Sequence, residues 1–338
     1  MDNFWFLLIA AVLGFIISAI AGKFFVPFWE NAGAKQNVSR FGIESHQVKT
    51  GTPTFGGSIF LTAFTLLTVI YLFIDFSPMV LAILLFVLAH AAIGFIDDYF
   101  NIRVNNFGLE VKQKAALLFI VELAFVIYYL YGTGQPITIV WPFGLEATVI
   151  QGAWKILYGA FLLFYFMACT NATNIVDGVD GLSSSVTVVT LAFSGITAFV
   201  LYKNVTATSS NFGLAVISFV MLGALLGFLI YNWHPAKIFM GDMGSLALGA
   251  LTSTIFLAMG MPWVFIFAGI IYVIDIATVL IQRSYYKISG GKRIFRYTPI
   301  HHQFELDGWS EVKIVRNFSL VQLIGSIVAG ILVWTIAY

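Results

Sequence analysis

Charge is scarce in this chain. Of its 338 residues only 10% are Asp, Glu, Lys or Arg, against about 25% in an ordinary soluble domain, which excludes a water-soluble globule of this length. Cysteine is nearly absent as well. The lone Cys169 rules out an internal disulfide framework and reads as a small apolar residue in a helix. With five histidines and no second thiol, a zinc site is disfavoured. No repeat, low-complexity tract or linker divides the chain, so residues 1–338 read as a single integral membrane domain. No Lys or Arg precedes the first apolar run, Phe4 to Gly22, which is also too long for a signal-peptide core, so it is expected to remain as a transmembrane helix. Nucleic acid is excluded as a partner, since no recognition module for it is present.

What is present is apolar. Hydrophobic residues make up 60% of the chain, with 34 Phe, and they fall in runs of membrane-spanning length. The fold class is therefore an all-α polytopic membrane protein. Windows of about twenty apolar residues predict ten spans near 4–25, 55–74, 78–97, 115–131, 153–170, 185–202, 212–231, 245–260, 262–283 and 318–337. Pro78 and Pro262 stand where a first helical turn tolerates proline. Between the fourth and fifth spans, residues 132–152 carry Gly- and Pro-bounded β-branched runs that predict a small hairpin.

Basic residues orient the bundle. Fifteen of the seventeen Lys and Arg fall in the segments after spans one, three, five, seven and nine, leaving Lys155 and Lys203 for the other side. The positive-inside rule makes the first face cytoplasmic and puts both termini outside. That basic face is expected to meet anionic lipid headgroups or an anionic substrate.

The same five segments hold the polar clusters. They read H-Q-V-K-T-G-T-P-T-F-G-G at 46–57, F-I-D-D-Y at 95–99, N-A-T-N-I-V-D-G-V-D-G at 171–181, N-W-H-P-A-K-I-F-M-G-D-M-G-S at 232–245 and R-I-F-R-Y-T-P-I-H-H-Q-F-E at 293–305. Ionisable groups at a membrane boundary are costly and tend to mark a site. In the third cluster Asn171, Asn174, Asp177 and Asp180 recur at i,i+3 and would share a helical face; a polar turn with Asx caps is the plainer reading of its two Asp-Gly pairs. Four outside loops hold nothing comparable, so one cytoplasmic site is the economical interpretation.

The inventory narrows the chemistry. Asp97, Asp98, Asp177, Asp180 and Asp242 are hard oxygen donors, suited to Mg²⁺ or Mn²⁺. Asp97 and Asp98 are consecutive, about 100° apart on a helix, and are expected to do different things. The run from Gly241 to Ser245 opens an apolar helix, so its N–H groups either face a phosphate or form an ordinary N-cap. His301 and His302 lie near Arg293 and Arg296 in a loop that is either solvated or part of the site. Phe239, three residues before Asp242, offers a face to a planar base or packs in the core. Among residues inside the spans, His90, seven before Asp97, reads as packing support, and Glu122 and Asp275 as partners in interhelical hydrogen bonds.

Taken in order, H-x-x-K-x-G-T-P-T-x-G-G, F-I-D-D-Y, N-A-x-N-x-x-D-G-x-D-G-L, P-A-K-x-F-M-G-D-x-G-S-L-A-L-G and G-G-K-R-I-F-R-x-x-P-I-H-H-x-F-E-x-x-G-W-S-E closely resemble the phospho-N-acetylmuramoyl-pentapeptide transferase family, from residue 46 to about 316. Those transferases belong to the polyprenyl-phosphate N-acetylhexosamine-1-phosphate transferases. The resemblance implies transfer of phospho-MurNAc-pentapeptide from UDP-MurNAc-pentapeptide to undecaprenyl phosphate, with Mg²⁺, giving lipid I and UMP for peptidoglycan. It also implies a homodimer among the lipids of the bacterial cytoplasmic membrane. By the same match Asp242 and Asp98 are metal ligands, Asp97 activates the lipid phosphate, His301 stands at the phosphate site, and His302 binds substrate. Lys49, Asp180, Asn232, Phe239 and Gly241 match the uridine pocket, and Thr54, Asn174, Asp177 and Gly178 its ribose-side neighbour.

Three positions depart from the family pattern. Asn101 stands where a Lys is expected, Gln303 replaces a third His, and Asp275 replaces a Glu. If Asn101 cannot neutralise charge, Arg103, Lys112 or Lys114 is expected to do so. A ninth span continued as one helix to Ile288 would be about 40 Å long against a hydrocarbon core of roughly 30 Å; the family's ninth helix is broken, which relieves the mismatch. Two rival readings are an ion-coupled transporter, which needs midplane charges and often an inverted repeat, and a scaffold that has lost its activity.

Overall fold

The computed structural model describes residues 3–35, 51–204 and 209–337. Its helices are α1 (Asn3–Asn31), α2 (Gly57–Ile74), α3 (Pro78–Phe100), α4 (Val111–Ile127), α5 (Trp154–Val176), α6 (Leu182–Asn204), α7 (Ser209–Asn232), α8 (Gly241–Ala258), α9 (Phe265–Ala268), α10 (Ile270–Ile288), α11 (Ile300–Leu306) and α12 (Glu311–Ala337). Among the described residues nine helices are long and apolar enough to cross a membrane, and α10 with the short helical piece before it makes up to ten. This is an all-α polytopic membrane protein. In the predicted hairpin, β1 (Ile137–Ile139) pairs antiparallel with β2 (Thr148–Ile150), Thr138 opposite Val149.

Local chemistry sets several helix ends. Ser77 caps α3 by accepting from the Val80 N–H, with Pro78 in the first turn where its missing N–H costs nothing. Glu110 and Gln113 form a reciprocal capping box at the start of α4. The ninth span bends by 87° between Pro262–Ala268 and Ile270–Ile288, so its two halves need not fit one membrane thickness.

Helix α8 is the centre of the bundle. Most of its span is buried, against about a fifth for α1, because α3 packs on one side of it and α5 on another, while α1 lies along α7. Small residues permit a close crossing. A methyl group on Gly94 of α3 would collide with the Asp242 and Met243 backbone at the start of α8, so these two helix ends sit almost in contact. Asn3 donates to the Tyr202 hydroxyl and Thr335 accepts from the Phe143 N–H. Both chain ends therefore lie with α6's C-terminal end and the hairpin region, at the end of the bundle opposite the polar clusters.

Candidate active site

The ends of α3, α4, α5 and α8 bring distant parts of the chain to one point. From the last turn of α3, Asp97 Oδ1 accepts from the Leu109 N–H at 2.7 Å, and its Oδ2 lies 3.3 Å from Lys114 Nζ of α4. The same ammonium is bonded to Asp242 Oδ2 in the first turn of α8. Asn174, near the end of α5, donates to Asp242 Oδ1 at 2.7 Å and to Ser245 Oγ at 2.9 Å. Asp98, 100° further round α3, is buried and turns instead to the α8 N-terminus, where its Oδ2 accepts from the Met243 N–H at 3.1 Å. Three carboxylates thus share one lysine and one helix start, an arrangement that costs too much at a membrane boundary to serve as a mere turn.

Gly241 and Thr54 complete this centre. Gly241 has φ +73°, and a Cβ there would stand 2.5 Å from Asp98 Oδ2 and 2.7 Å from Thr54 Oγ1. Only glycine fits. Among the described residues the buried Thr54 hydroxyl has no hydrogen-bond partner, and it stands beside Gly241 and the Asp98 carboxylate.

A second group lies one loop away. Asp180, 5% exposed, accepts through Oδ2 from the Ala236 N–H at 3.0 Å and pairs with His234 Nδ1 at 3.1 Å. Its own N–H donates to Glu311 Oε2, while Glu311 Oε1 approaches His234 Nδ1 at 3.3 Å. Ligating atoms of Asp180, His234 and Glu311 lie within 4.8 Å of one another, close enough to hold a metal ion. The metal ligands expected from the sequence, Asp98 and Asp242, belong to the other group. Asn232, also buried, accepts from Ser184 Oγ and donates to the Ile238 carbonyl, shaping the loop that leads to Phe239. That loop is pinned to the 53–57 segment by Phe239 N–H donating to the Pro53 carbonyl and Gly56 N–H donating to the Phe239 carbonyl. The Phe239 ring is half-buried.

The histidine pair closes a third side. His301 is fully buried, with Nδ1 2.7 Å from Asp275 Oδ2 of α10. Among the described residues its Nε2 has no partner, and it points at the 177–181 turn, where a Cβ on Gly178 would lie 2.5 Å from it. His302 bonds Glu305 Oε2 through Nδ1. Asp177 caps the C-terminus of α5 between Asn174 and this turn.

Most of the sequence-derived site residues therefore gather at one end of the bundle, in three adjoining groups joined by the short segment 174–180. Lys49 lies outside the described residues. Asn174, grouped with the ribose-side residues, donates to Asp242, and Thr54 of the same group stands at that centre too. Lys112 is exposed while Lys114 bridges the carboxylates; of the two, Lys114 lies two residues further along α4 and faces inward. Asp275 makes the expected bond between helices, its partner being His301 of the short α11. His90 Nδ1 bonds the Phe86 carbonyl, and its Nε2 stands 3.8 Å from Glu122, beyond hydrogen-bonding distance. Two residues were missed as partners: His234 and Glu311 were present in the quoted motifs, in N-W-H-P and G-W-S-E, but nothing in their spacing shows that they meet.

A helical bundle of membrane-crossing length with a carboxylate centre at one boundary defines a membrane-embedded transferase of the glycosyl transferase family 4 type, whose sequence pattern matches residues 80–260. The phospho-N-acetylmuramoyl-pentapeptide-transferase of Clostridium botulinum (strain Alaska E43 / Type E3) is 41% identical over 325 residues, covering 95% of both chains. That of Clostridium beijerinckii is 42% identical over 93% of this chain and 92% of the relative, and that of Listeria monocytogenes serotype 4b is 38% identical over 94% and 95%. The chain belongs to the phospho-N-acetylmuramoyl-pentapeptide-transferase family.

Proposed function

We infer that this protein transfers phospho-MurNAc-pentapeptide from UDP-MurNAc-pentapeptide to undecaprenyl phosphate, forming lipid I and UMP. An oxygen of the acceptor phosphate attacks the sugar-bearing phosphorus, the bond from that phosphorus to the bridging oxygen breaks, and UMP leaves. Such a displacement depends mainly on in-line positioning and on neutralising the charge of two anions brought together. The observation that carries the reading is the lodging of Lys114 between Asp97 and Asp242, with Asn174 and Asp98 at the same helix start.

The donor set fits magnesium. Its oxygens come from carboxylates and a hydroxyl without a thiolate, Thr54 Oγ1 has no partner among the described residues beside Asp98, and an ammonium already occupies the space between Asp97 and Asp242. Asp98 and Asp242 would hold the ion, which supplies neutralising charge for the pyrophosphate. The chain's own residues do the rest. Lys114 keeps Asp97 and Asp242 apart from direct repulsion, and Asn174 fixes the orientation of Asp242. Leu109 N–H holds Asp97 toward the centre, where it serves as the base for the acceptor phosphate. Asp275 holds His301 with Nε2 directed at the Gly178 turn, a position from which it contacts substrate phosphate. Asp180, Asn232, Phe239 and Gly241, together with Lys49, form the uridine pocket, bounded by Asp177, Gly178 and Thr54; His302 stands at the phosphates.

In this reading the single integral domain lies in the bacterial cytoplasmic membrane as a homodimer, with the site facing the cytoplasm, as its fifteen basic residues on that face favour. The test is UMP release from UDP-MurNAc-pentapeptide with undecaprenyl phosphate. Release is expected only when both substrates are supplied, with lipid I formed in equal amount. UMP release without the lipid acceptor, or none with it, contradicts the assignment.

A further inference from the structure

Helix α10 has two unlike faces. Asp275, Thr278 and Gln282 are buried along one stripe, whereas Leu280, Ile281 and Ile288 are exposed on the other. After Ile288 the turn through Gly290 and Gly291, both at positive φ, reverses the chain, and the following segment is tied back to the helix. Gln282 Oε1 accepts from the Ile294 N–H at 3.1 Å and from the Phe295 N–H at 2.9 Å. Between helix and returning segment lies a cavity of about 420 Å³ whose lining includes Gln282, Arg283, Tyr286, Lys287, Arg293 and Tyr297.

The polar lining of this cavity is dominated by donors. Arg283, Lys287 and Arg293 bring three positive charges, and among the described residues no carboxylate lines the cavity with them. Among the described residues none of the three is in a salt bridge; the nearby Arg296 is the one that pairs with Asp307. Gln282 is 91% buried, counted from its 9% exposure, and among the described residues its Nε2 donor has no partner. Like charges gathered around an unsatisfied buried donor are unfavourable unless an anion with several acceptor oxygens joins them. An apolar outer face with a basic end is also the pattern of a helix lying at a lipid interface.

We propose that this cavity binds the phosphodiester headgroup of an acidic phospholipid of the phosphatidylglycerol class. The acceptor's phosphate is a poorer occupant, because it must meet the donor at the carboxylate centre and no residue of that centre lines the cavity. Arg283 lies eight residues beyond Asp275, about 12 Å along the helix. A headgroup here would hold the returning segment, which continues directly into α11 and its His301; Tyr297 N–H already donates to Gln303 Oε1 of that helix. The lipid would thus order the phosphate-facing histidine without entering the reaction.

The experiment uses the full chain in nanodiscs of phosphatidylcholine with and without phosphatidylglycerol, reading the thermal midpoint and the fraction of spin-labelled phosphatidylglycerol that is motionally restricted. Wild type should be stabilised by phosphatidylglycerol and restrict the label saturably. The double variant Arg283→Gln/Arg293→Gln should match wild type in pure phosphatidylcholine and bind the label on the order of ten-fold more weakly, as expected for losing two basic contacts. If the double variant does not give a monodisperse preparation, Lys287→Gln, at an exposed side chain, is expected to weaken the label by a smaller factor. Equal restriction in variant and wild type overturns the proposal. So does reproduction of the stabilisation by inorganic phosphate, which would make this a free-anion site. Displacement of the label by undecaprenyl phosphate, with a raised KM for that acceptor in the variant, would assign the cavity to the substrate instead.

Discussion

Lys114 illustrates how side-chain direction decides a role that composition leaves open. Asn101 removes the family's usual positive charge one turn after Asp97, and its amide cannot neutralise a carboxylate. Lys114 brings a positive charge to Asp97 and Asp242 from another helix. Replacing Lys114 by Gln is therefore expected to lower UMP release by on the order of 10²-fold, the usual cost of removing one preorganised electrostatic group. Lys112→Gln, at an exposed side chain, should stay close to wild type. Asn101→Lys should preserve or modestly improve turnover; restoration of activity by it in an otherwise inactive wild type would mark the chain as a degenerate relative. At Phe239, loss of the ring should cost about 1–3 kcal/mol of UDP-sugar binding, the range for base–aromatic stacking. Unchanged affinity by calorimetry would return Phe239 to the core.

At the scale of elements, the crossing of α3 and α8 governs the site, because Asp98 and Asp242 meet only if Gly94 lets the helix start approach. Gly94→Val should separate them, lowering turnover far more than it lowers far-UV helicity; a variant of full activity would show the crossing to be compliant. Span existence was legible in hydropathy, and so was the hairpin in its β-branched runs. Span ends were less so. Helix α12 begins at Glu311, seven residues before the predicted 318, and α1 continues to Asn31, beyond 25. Both extensions are polar or mixed, and apolar windows stop where a helix leaves the hydrocarbon although its hydrogen bonding does not. The bend near Gly269 was anticipated from length and from the family, but its angle depends on packing. The carboxylates and the histidine pair were legible as motifs. Their partners were less so: His234 with Glu311 was not foreseen and Lys114 was one of three candidates, because contacts between elements are not encoded in a one-dimensional pattern.

At the scale of the molecule, polar clusters from five segments collect at one end while both described chain ends lie at the other. A cysteine introduced at Gly290 should react with a membrane-impermeant thiol reagent only from the cytoplasmic side, and one at Gln135 only from outside; the reverse pattern would invert the whole site. The central claim is that this end of the bundle is a metal-assisted phosphoryl-transfer centre built on Asp242. It is tested most directly by measuring UMP release from wild type and Asp242→Asn across a Mg²⁺ series at saturating substrates, with circular dichroism and size exclusion to establish folding. The account predicts Mg²⁺-dependent release from wild type and none from the folded variant, because an amide cannot supply the negative charge that such an ion requires. Wild-type release by Asp242→Asn at low Mg²⁺ would contradict it.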